Sequence, residues 1–318
     1  MELFLGTTVD GVQMGLCFAI LALGVYISYS ILNFPDLSVD GVFPLGGVFA
    51  TILMLKCSLP APLAVLLAFA AGFAAGALTG FLHERLHISD LLSGIIVMTA
   101  LLSVNLAATR LLTRTGMTTT IFSYRSENLN GLFGGGLFDS LSGEARDFAM
   151  IAVLLAIVLA VKIIIDLLLK TKFGYLLKAT GSNERLVVSL GKDSARYKIW
   201  GLAISDGFVA VSGAVYASLY SSYDGTCGTG KMVLAIASVI IGTVVFSRIR
   251  FFKSTTAVIL GALIYSLCLN YLVLVDTDGI YLKLLNAVLF TFILLANNKI
   301  QAFLTRKGRN PREGGKRQ

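Results

Sequence analysis

The sequence predicts an all-α membrane protein, a polytopic helix bundle of about nine transmembrane helices. Of its 318 residues, 56% are hydrophobic and only 14% are charged, and the mean hydropathy is +0.82. A soluble domain usually carries about 25% charged residues, so this chain lacks the polar surface of a soluble enzyme. Its 32 glycines and 5 prolines suit closely packed membrane helices.

The apolar runs predict the number and order of the helices. A helix needs about 20 apolar residues to cross the hydrocarbon core of a bilayer. The runs that reach or approach this length, with one shorter run after the first, are Val9–Tyr29, Gly41–Leu55, Pro62–Leu82, Leu91–Leu112, Phe148–Leu169, Trp200–Tyr220, Val233–Phe246, Thr255–Val275 and Ile280–Ala296. We therefore expect a transmembrane domain over residues 1–298 and a basic, disordered cytoplasmic tail over residues 299–318.

Lysine and arginine residues predict the orientation of the bundle. They concentrate in residues 170–198, in residues 248–253 and in the tail, which are separated by even numbers of predicted spans. The positive-inside rule makes this side cytoplasmic, and an odd number of spans then places the N-terminus outside and the C-terminus inside. The net charge of +8 is explained by this topology. We expect contact with the lipid bilayer and no nucleic-acid partner.

Two patterns resemble catalytic or nucleotide-binding motifs but lack the residues that such sites need. Gly225–Lys231 has the spacing of a phosphate-binding loop, but Met232 stands where serine or threonine would bind magnesium, and the run falls in an outer turn. His83 and His87 have the spacing of zinc ligands on a helix, without a third ligand. We predict no catalytic residue, no metal site and no cofactor. A membrane-embedded enzyme that uses the two histidines is an alternative.

One predicted span carries a regular stripe of glycines. Gly72, Gly76 and Gly80 are four residues apart and therefore share one helix face. A face without side chains allows a neighbouring helix to approach closely.

The apolar pattern is interrupted around Pro35. Proline removes a backbone donor and disfavours helix at Phe34, whereas Asp36, Ser38 and Asp40 are residue types at which a helix can begin again. A carboxylate near the bilayer centre costs roughly 2.5–3.5 kcal/mol and needs a cavity or a partner. A broken helix that lines a substrate path would supply the cavity. An ordinary interfacial turn is the alternative.

A second interruption lies in the basic connection of residues 170–198. Gly181 and Gly191 bracket a short segment in which Ser182 or Asn183 can cap a helix and Glu184 suits the first turn. This segment is too short to span a membrane and too apolar to be free in water. It is either a short cytoplasmic helix on which a motor protein docks or an interfacial helix that lies on lipid.

The two interruptions together resemble the permease subunits of ATP-binding-cassette importers of the branched-chain amino acid and ribose type. Residues 32–46 resemble the branch of that family linked to import of tryptophan and other aromatic amino acids, although Asp206 stands where that branch leads us to expect asparagine. The resemblance extends from about Gly11 to Asn297. The residues that carry the second motif are Thr171, Phe173, Gly174, Ala179, Thr180, Gly181, Asn183, Leu190, Gly191, Lys198, Gly201, Leu202, Ile204, Ser205 and Gly207.

The resemblance implies a permease in the cytoplasmic membrane of a bacterium. Two copies of the chain, a homodimer, would form the path for a small solute, expected to be an amino acid and more narrowly an aromatic one. An extracytoplasmic binding protein would deliver the solute, and a separate cytoplasmic ATP-binding subunit would drive transport. An ion-coupled secondary transporter that uses Asp36, Asp40 or Asp206 is the alternative.

The resemblance also assigns residues to the two roles. The residues expected to couple the permease to the ATPase are Gly181, Ser182, Asn183, Glu184, Arg185, Leu190 and Gly191. The residues expected along the translocation path are Asn33, Phe34, Asp36 and Asp40.

Overall fold

The computed structural model describes residues 2–112, 120–121, 144–220, 223–246 and 253–273, together with isolated positions between 284 and 295. The helices in these ranges are α1 (Glu2–Val25), α2 (Val39–Lys56), α3 (Ala61–Leu86), α4 (Asp90–Leu112), α5 (Glu144–Lys170), α6 (Lys172–Ser182), α7 (Glu184–Ser189), α8 (Ser194–Tyr220), α9 (Lys231–Val245) and α10 (Ser254–Val273). Two short strands, β1 (Thr120–Ile121) and β2 (Tyr223–Asp224), pair antiparallel.

Seven helices in the described ranges are long and apolar enough to cross a membrane, namely α1 with its continuation to Ile31, α2, α3, α4, α5, α8 and α10. The predicted all-α polytopic membrane fold is therefore confirmed. Helix α9 has 15 residues, fewer than the about 20 that a full crossing needs. The predicted span Ile280–Ala296 lies largely outside the described residues, and the tail of residues 299–318 lies entirely outside them. Those two assignments stay predictions.

Helices α1 and α8 form the centre of the bundle. In the most apolar part of each helix, 78% of α1 and 83% of α8 is buried, against 33% of α3, 22% of α4 and 28% of α5. The exposed faces of α3, α4 and α5 carry large apolar side chains such as Leu66, Ile96 and Phe148. A surface of this kind is stable against lipid and unfavourable in water.

Close approach of the helices depends on the glycine stripe of α3. A side chain at Gly72 or Gly76 would collide with the carbonyl groups of Asp206 or Leu202 in α8, and Gly80 lies against the backbone of the same helix. Only glycine leaves room for the two backbones at these points. The smooth helix face that the sequence predicted is confirmed.

The helix is interrupted between α1 and α2. Helix α1 continues into one π-helical turn over Tyr26–Ile31, and residues 32–38 then form a bend and a turn without regular helix. The Ser38 hydroxyl bonds to Asp206, which lies twelve residues after Ser194, the first residue of α8. Twelve helical residues rise about 18 Å. Helix α2 therefore begins inside the bundle.

The two ends of the bundle differ. The end of α5, all of α6 and α7, and the start of α8 lie at one end, which we call the basic end. Ile31 reaches the same end, because its carbonyl touches Gly181 of α6. Since α1 is a continuous helix, its N-terminus lies at the opposite end.

Candidate functional site

The segment between α1 and α2 begins with a residue in an unusual backbone conformation. Asn33 has a φ of +56°, in the left-handed region that asparagine tolerates better than most residues, and its side chain is exposed. Phe34 is buried, and its ring meets the ring of His83 edge to face with 5.1 Å between centroids. The segment is therefore fixed against the end of α3.

A cluster of three buried polar side chains, which we call the acidic cluster, lies where the segment joins α2. It consists of Asp36, Ser38 and Asp206, which are 1%, 0% and 0% exposed. The Ser38 backbone N–H donates to Asp36 Oδ1 at 2.9 Å, and the Ser38 hydroxyl donates to Asp206 Oδ2 at 2.8 Å. Serine thus connects two carboxyl groups that come from residues far apart in the chain.

Each carboxyl group of the acidic cluster has one oxygen without a hydrogen bond among the described residues, Asp36 Oδ2 and Asp206 Oδ1. Two negative charges in one buried site repel each other, and each ion loses its hydration. The site is therefore suited to hold a proton or a cation. The described residues contain no group of three or more His, Cys, Asp or Glu side chains arranged for a metal ion.

Asp40 has a different environment from the acidic cluster. Its Oδ2 accepts the N–H of Gly230 at 2.9 Å, and its Oδ1 accepts the N–H of Met232 at 2.8 Å. A carboxylate at the start of a helix satisfies free N–H groups and stabilises the helix dipole. Asp40 of α2 therefore caps α9 and brings the glycine-rich turn before α9 against the first turns of α2, where Gly228 contacts Pro44.

Lys231, the first residue of α9, points into a group of three aromatic rings, which we call the aromatic cage. Its ammonium nitrogen lies 4.2 Å from the centroid of the Phe18 ring and 5.4 Å from the centroids of Phe43 and of Tyr216. Cation–π contacts of this kind contribute about 0.5–2 kcal/mol each. The cage connects α1, α2, α8 and α9 in the interior of the bundle.

At the basic end, two short helices form the segment that the sequence singled out. Thr171 caps α6 by accepting the Gly174 N–H at 3.2 Å, and Asn183 caps α7 by accepting the Leu186 N–H at 3.2 Å. Of the two cap residues considered from the sequence, the structure therefore uses Asn183. Ser182 is instead the last residue of α6.

The end of α7 is fixed by a glycine in the left-handed region. Gly191 has a φ of +70°, which a residue with a side chain rarely adopts. The sequence indicated a helix break at Gly181, but Gly181 lies within α6. A Cβ at Gly181 would collide with the carbonyl of Ile31, so α6 touches the chain just before the non-helical segment.

Helix α7 is attached to α8 and α3 by charged side chains. Glu184 accepts from the Ser194 hydroxyl at 2.9 Å and from Lys198 Nζ at 2.9 Å, and Lys198 also lies 2.8 Å from a carboxylate oxygen of Glu84. The hydrogen bond from Lys198 holds the pKa of Glu184 below its usual value, so Glu184 keeps its charge and its bonds at neutral pH.

Helix α7 exposes large apolar side chains on both sides of its buried residue. Leu186, Val188 and Leu190, which directly follows the helix, are exposed, whereas Val187 is fully buried and anchors the helix. Arg185, on the face opposite Val187, is also exposed. Beside these residues lies a pocket of about 670 Å³, lined by Phe173, Gly191, Lys192, Asp193, Arg196, Tyr197, Trp200 and Ile204.

The structure brings some of the predicted residues together and separates others. Asp36 joins the acidic cluster, Asp40 caps α9, Phe34 packs on His83, and Asn33 faces outward. Sequence reasoning missed Lys231 and its cage, because it treated the lysine as the end of an outer glycine-rich turn. The signal that was present is a lysine directly before the apolar run that starts at residue 232.

Comparison with known proteins gives a consistent result. The family model described as "Branched-chain amino acid transport system / permease component" matches residues 7–296. A tyrosine transport system permease protein of Clostridioides difficile is 36% identical over 283 residues, which cover 89% of this chain and 88% of that protein. An uncharacterized protein of Rickettsia prowazekii is 30% identical over 298 residues, which cover 92% and 97%.

A third relative matches a shorter part of the chain. A probable branched-chain amino acid transport permease protein of Methanocaldococcus jannaschii is 33% identical over 104 residues, which cover 32% of this chain and 30% of that protein. No solved structure matches the chain significantly.

Proposed function

This chain belongs to the family of branched-chain amino acid transport system permease components, and on that premise we propose that it forms the membrane path of an ATP-driven importer of an aromatic amino acid. The family and the resemblance to its aromatic branch, both inferred from sequence, are confirmed by the family match and by the tyrosine permease relative. The narrower substrate class is the proposal, and it is supported by that relative at 36% identity over most of both chains.

The proposal includes a separate ATP-binding subunit that docks on α6 and α7. The observation that carries it is the exposure of three large apolar side chains on and directly after α7, Leu186, Val188 and Leu190, next to charged side chains at the basic end. An apolar patch with a polar rim is typical of a protein interface. The contact of Gly181 with Ile31 gives the docked subunit a direct mechanical connection to the segment before α2.

The translocation path in this proposal includes the segment of residues 33–40. Asp36 supplies a buried carboxyl group there, and Asp40 fixes the turn before α9 against α2. Non-helical backbone at membrane depth is stable only when it is buried in protein or lines a cavity. Two copies of the chain would enclose the path, and an extracytoplasmic binding protein would deliver the amino acid at the opposite end.

The expected location is the cytoplasmic membrane of a bacterium, with the basic end in the cytoplasm. The described part of the chain supports this orientation because Lys253, from the second basic stretch, contacts Asp166 near the end of α5. Two of the three basic stretches therefore lie at the same end, as the positive-inside rule requires. The N-terminus would then be outside.

Affinity purification and uptake measurements test the proposal together. The tagged chain, purified from its native host, should retain a protein with an ATP-binding motif, and uptake of a radiolabelled aromatic amino acid should stop when cellular ATP is depleted while the proton gradient is maintained. In the double variant Leu186→Asp with Val188→Asp, we expect loss of the ATP-binding subunit, because carboxylates on α7 cannot be desolvated at an apolar interface. Lys56→Asp, at the opposite end of the bundle, is the matched control.

The main alternative is an ion-coupled secondary transporter. In that case no ATP-binding subunit would be retained, and uptake would persist without ATP and stop when the ion gradient is collapsed. Such a result would overturn the importer assignment. Retention of the ATP-binding subunit by the α7 double variant would overturn the docking site alone.

A further inference from the structure

The aromatic cage holds a positive charge for which the described residues provide no ion-pair partner. No carboxylate oxygen among these residues lies within 4 Å of Lys231 Nζ. Asp40 lies three residues before Phe43, but both of its carboxylate oxygens accept backbone N–H groups, those of Gly230 and Met232, at the start of α9. Lys231 is half-buried, and an ammonium group that lies against apolar ring faces without a counter-ion favours binding of an anion.

The cage lies deep in the bundle. Phe18 is thirteen residues before Ile31, the end of the first span at the basic end, which corresponds to a rise of about 20 Å. It is also sixteen residues after Glu2, the first residue of α1. The ammonium group is thus near the middle of the first span, at the depth where transporters of other families bind their substrates.

Aromatic rings connect the cage to the opposite end of the bundle. The ring centroids of Phe18 and Tyr216 are 5.9 Å apart and the two planes are nearly parallel, while Phe43 and Tyr216 are separated by 5.5 Å. The ring centroids of Tyr216 and Tyr220 are 4.7 Å apart, and Tyr220 is exposed. The rings of Tyr220, Tyr216 and the fully buried Phe18 thus form a continuous aromatic series between the opposite end of the bundle and the ammonium group.

We propose that Lys231 binds the carboxylate of an aromatic amino acid while the rings of Phe18, Phe43 and Tyr216 bind its side chain. This inference rests on the proposed function and assigns the recognition site within it. The ammonium group leaves the ring faces to form a charge-assisted hydrogen bond with the carboxylate, which is stronger than the cation–π contacts that it replaces. The freed ring faces then stack with the ring of the substrate.

A structural role for Lys231 makes different predictions. If the lysine only fastens α9 to α1, α2 and α8, its loss lowers thermal stability and does not change which ligands the folded protein binds. If it binds the substrate carboxylate, its loss removes binding of carboxylate ligands by protein that is still folded, whatever its effect on thermal stability. Ligand chemistry therefore distinguishes the two roles.

The first experiment uses the purified wild-type permease in detergent, without a binding protein, and measures ligand-induced shifts of the thermal unfolding midpoint. We expect 10 mM L-phenylalanine and 10 mM 3-phenylpropionate, which both carry a carboxylate, to raise the midpoint, because a ligand that binds only the folded state stabilises it by mass action. The shift appears when the ligand concentration is comparable to the dissociation constant or above it. Phenethylamine, which has the ring and no carboxylate, should not. Stabilisation by phenethylamine, or by none of the three compounds, overturns the proposal without any substitution.

The second experiment compares Lys231→Met with Lys56→Met, which removes an exposed lysine at the end of α2. Uptake of L-phenylalanine is measured in proteoliposomes that contain the complete transporter and its binding protein. We expect Lys231→Met to lower the initial rate by roughly tenfold or more, because truncation of a buried charge partner typically costs at least that factor. Lys56→Met should transport like the wild type.

The two failures are distinguishable. If the wild type shows no ATP-dependent uptake, the proposed function is wrong. If the wild type transports and Lys231→Met transports equally well, only the carboxylate site is wrong. If Lys231→Met does not fold, the shifts of the wild-type unfolding midpoint with the three compounds decide whether the carboxylate site exists.

Discussion

At the scale of single residues, the acidic cluster is the most unusual feature of the interior. Its two carboxyl groups share one serine, and each keeps one oxygen free of hydrogen bonds among the described residues. Burial of both groups as anions would be costly, because each ion loses its hydration and the two charges repel each other. Asp206 is the position at which the sequence led us to expect asparagine. The aspartate adds a second buried carboxyl group that shares Ser38 with Asp36.

Substitution of Asp206 tests whether the second carboxyl group is a burden on stability. We expect Asp206→Asn to unfold at the same temperature as the wild type or higher, because the amide oxygen still accepts from Ser38 and one of the two acidic groups is removed. Asp206→Leu should cost about 1–3 kcal/mol, because the buried Ser38 hydroxyl loses its acceptor. Thermal unfolding of both variants in the same detergent measures the difference.

The two Asp206 variants also separate the explanations of the cluster. Equal destabilisation by asparagine and leucine would mean that the structure needs the negative charge itself, as it would if a cation were bound between Asp36 and Asp206. A stable asparagine variant would mean that a neutral group is sufficient at this position.

At the scale of elements, α6 and the non-helical segment after α1 behave as one connected unit. Gly181 leaves α6 in contact with the Ile31 carbonyl, and Leu32 also packs against Gly201 of α8. A displacement of α6 would therefore move the chain that leads to Asp36. The short helices and the interruption near Pro35 lie about 150 residues apart in sequence, yet they touch in the fold.

The contact at Gly181 predicts an uncoupled variant. In Gly181→Ala, the added methyl group collides with the Ile31 carbonyl, so α6 must move away from the end of α1. We expect the variant to bind the ATP-binding subunit but to transport roughly 2- to 30-fold more slowly, the range that corresponds to about 0.5–2 kcal/mol of coupling. Uptake and ATP hydrolysis are measured in the same proteoliposomes.

Gly6→Ala is the control for this substitution, because its added Cβ meets no atom within 4 Å. A folded Gly181→Ala protein with normal uptake would show that α6 does not act through Ile31. If Gly6→Ala transports normally and Gly181→Ala does not, the disturbed contact between α6 and Ile31 explains the loss of uptake.

Much of the fold could be predicted from sequence because the bilayer fixes helix length and composition. The runs of apolar residues coincide with α1, α2, α3, α4, α5, α8 and α10 to within a few residues at most ends. The glycine stripe of α3 was also readable, since a spacing of four defines one helix face. The interrupted segment near Pro35 was recognisable from proline chemistry and from the polar residues that follow it.

The remaining features depend on contacts between distant residues. Asp40 bonds to Gly230 and Met232, which are 190 and 192 residues away, so nothing local shows that the glycine-rich turn packs against α2. The link between Ser38 and Asp206 spans 168 residues. The aromatic cage combines rings from three helices around a lysine from a fourth, and single aromatic positions within apolar runs carry no signal of a shared site.

At the scale of the whole molecule, orientation is the property on which the functional proposal depends most. In the proposed importer, an ATP-binding subunit meets the basic end in the cytoplasm, and a binding protein meets the opposite end. Four cysteines are distributed through the chain, and two of them are exposed. Cys57 caps the end of α2 that lies away from the basic end, whereas Cys268 is within α10, a helix long and apolar enough to cross a membrane.

Labelling of Cys57 tests the orientation. A membrane-impermeant maleimide should modify Cys57 in intact cells whose outer layers are permeable to it, because in the proposed orientation this exposed thiol faces the external solution. Cys57→Ser should abolish this labelling. In a Cys57→Ser background, Ser182→Cys places a thiol at the exposed end of α6 and should react only after the cytoplasmic membrane is opened. The reverse pattern, with Ser182→Cys labelled in intact cells and Cys57 protected, would place the basic end outside, where no ATP-binding subunit could reach α7.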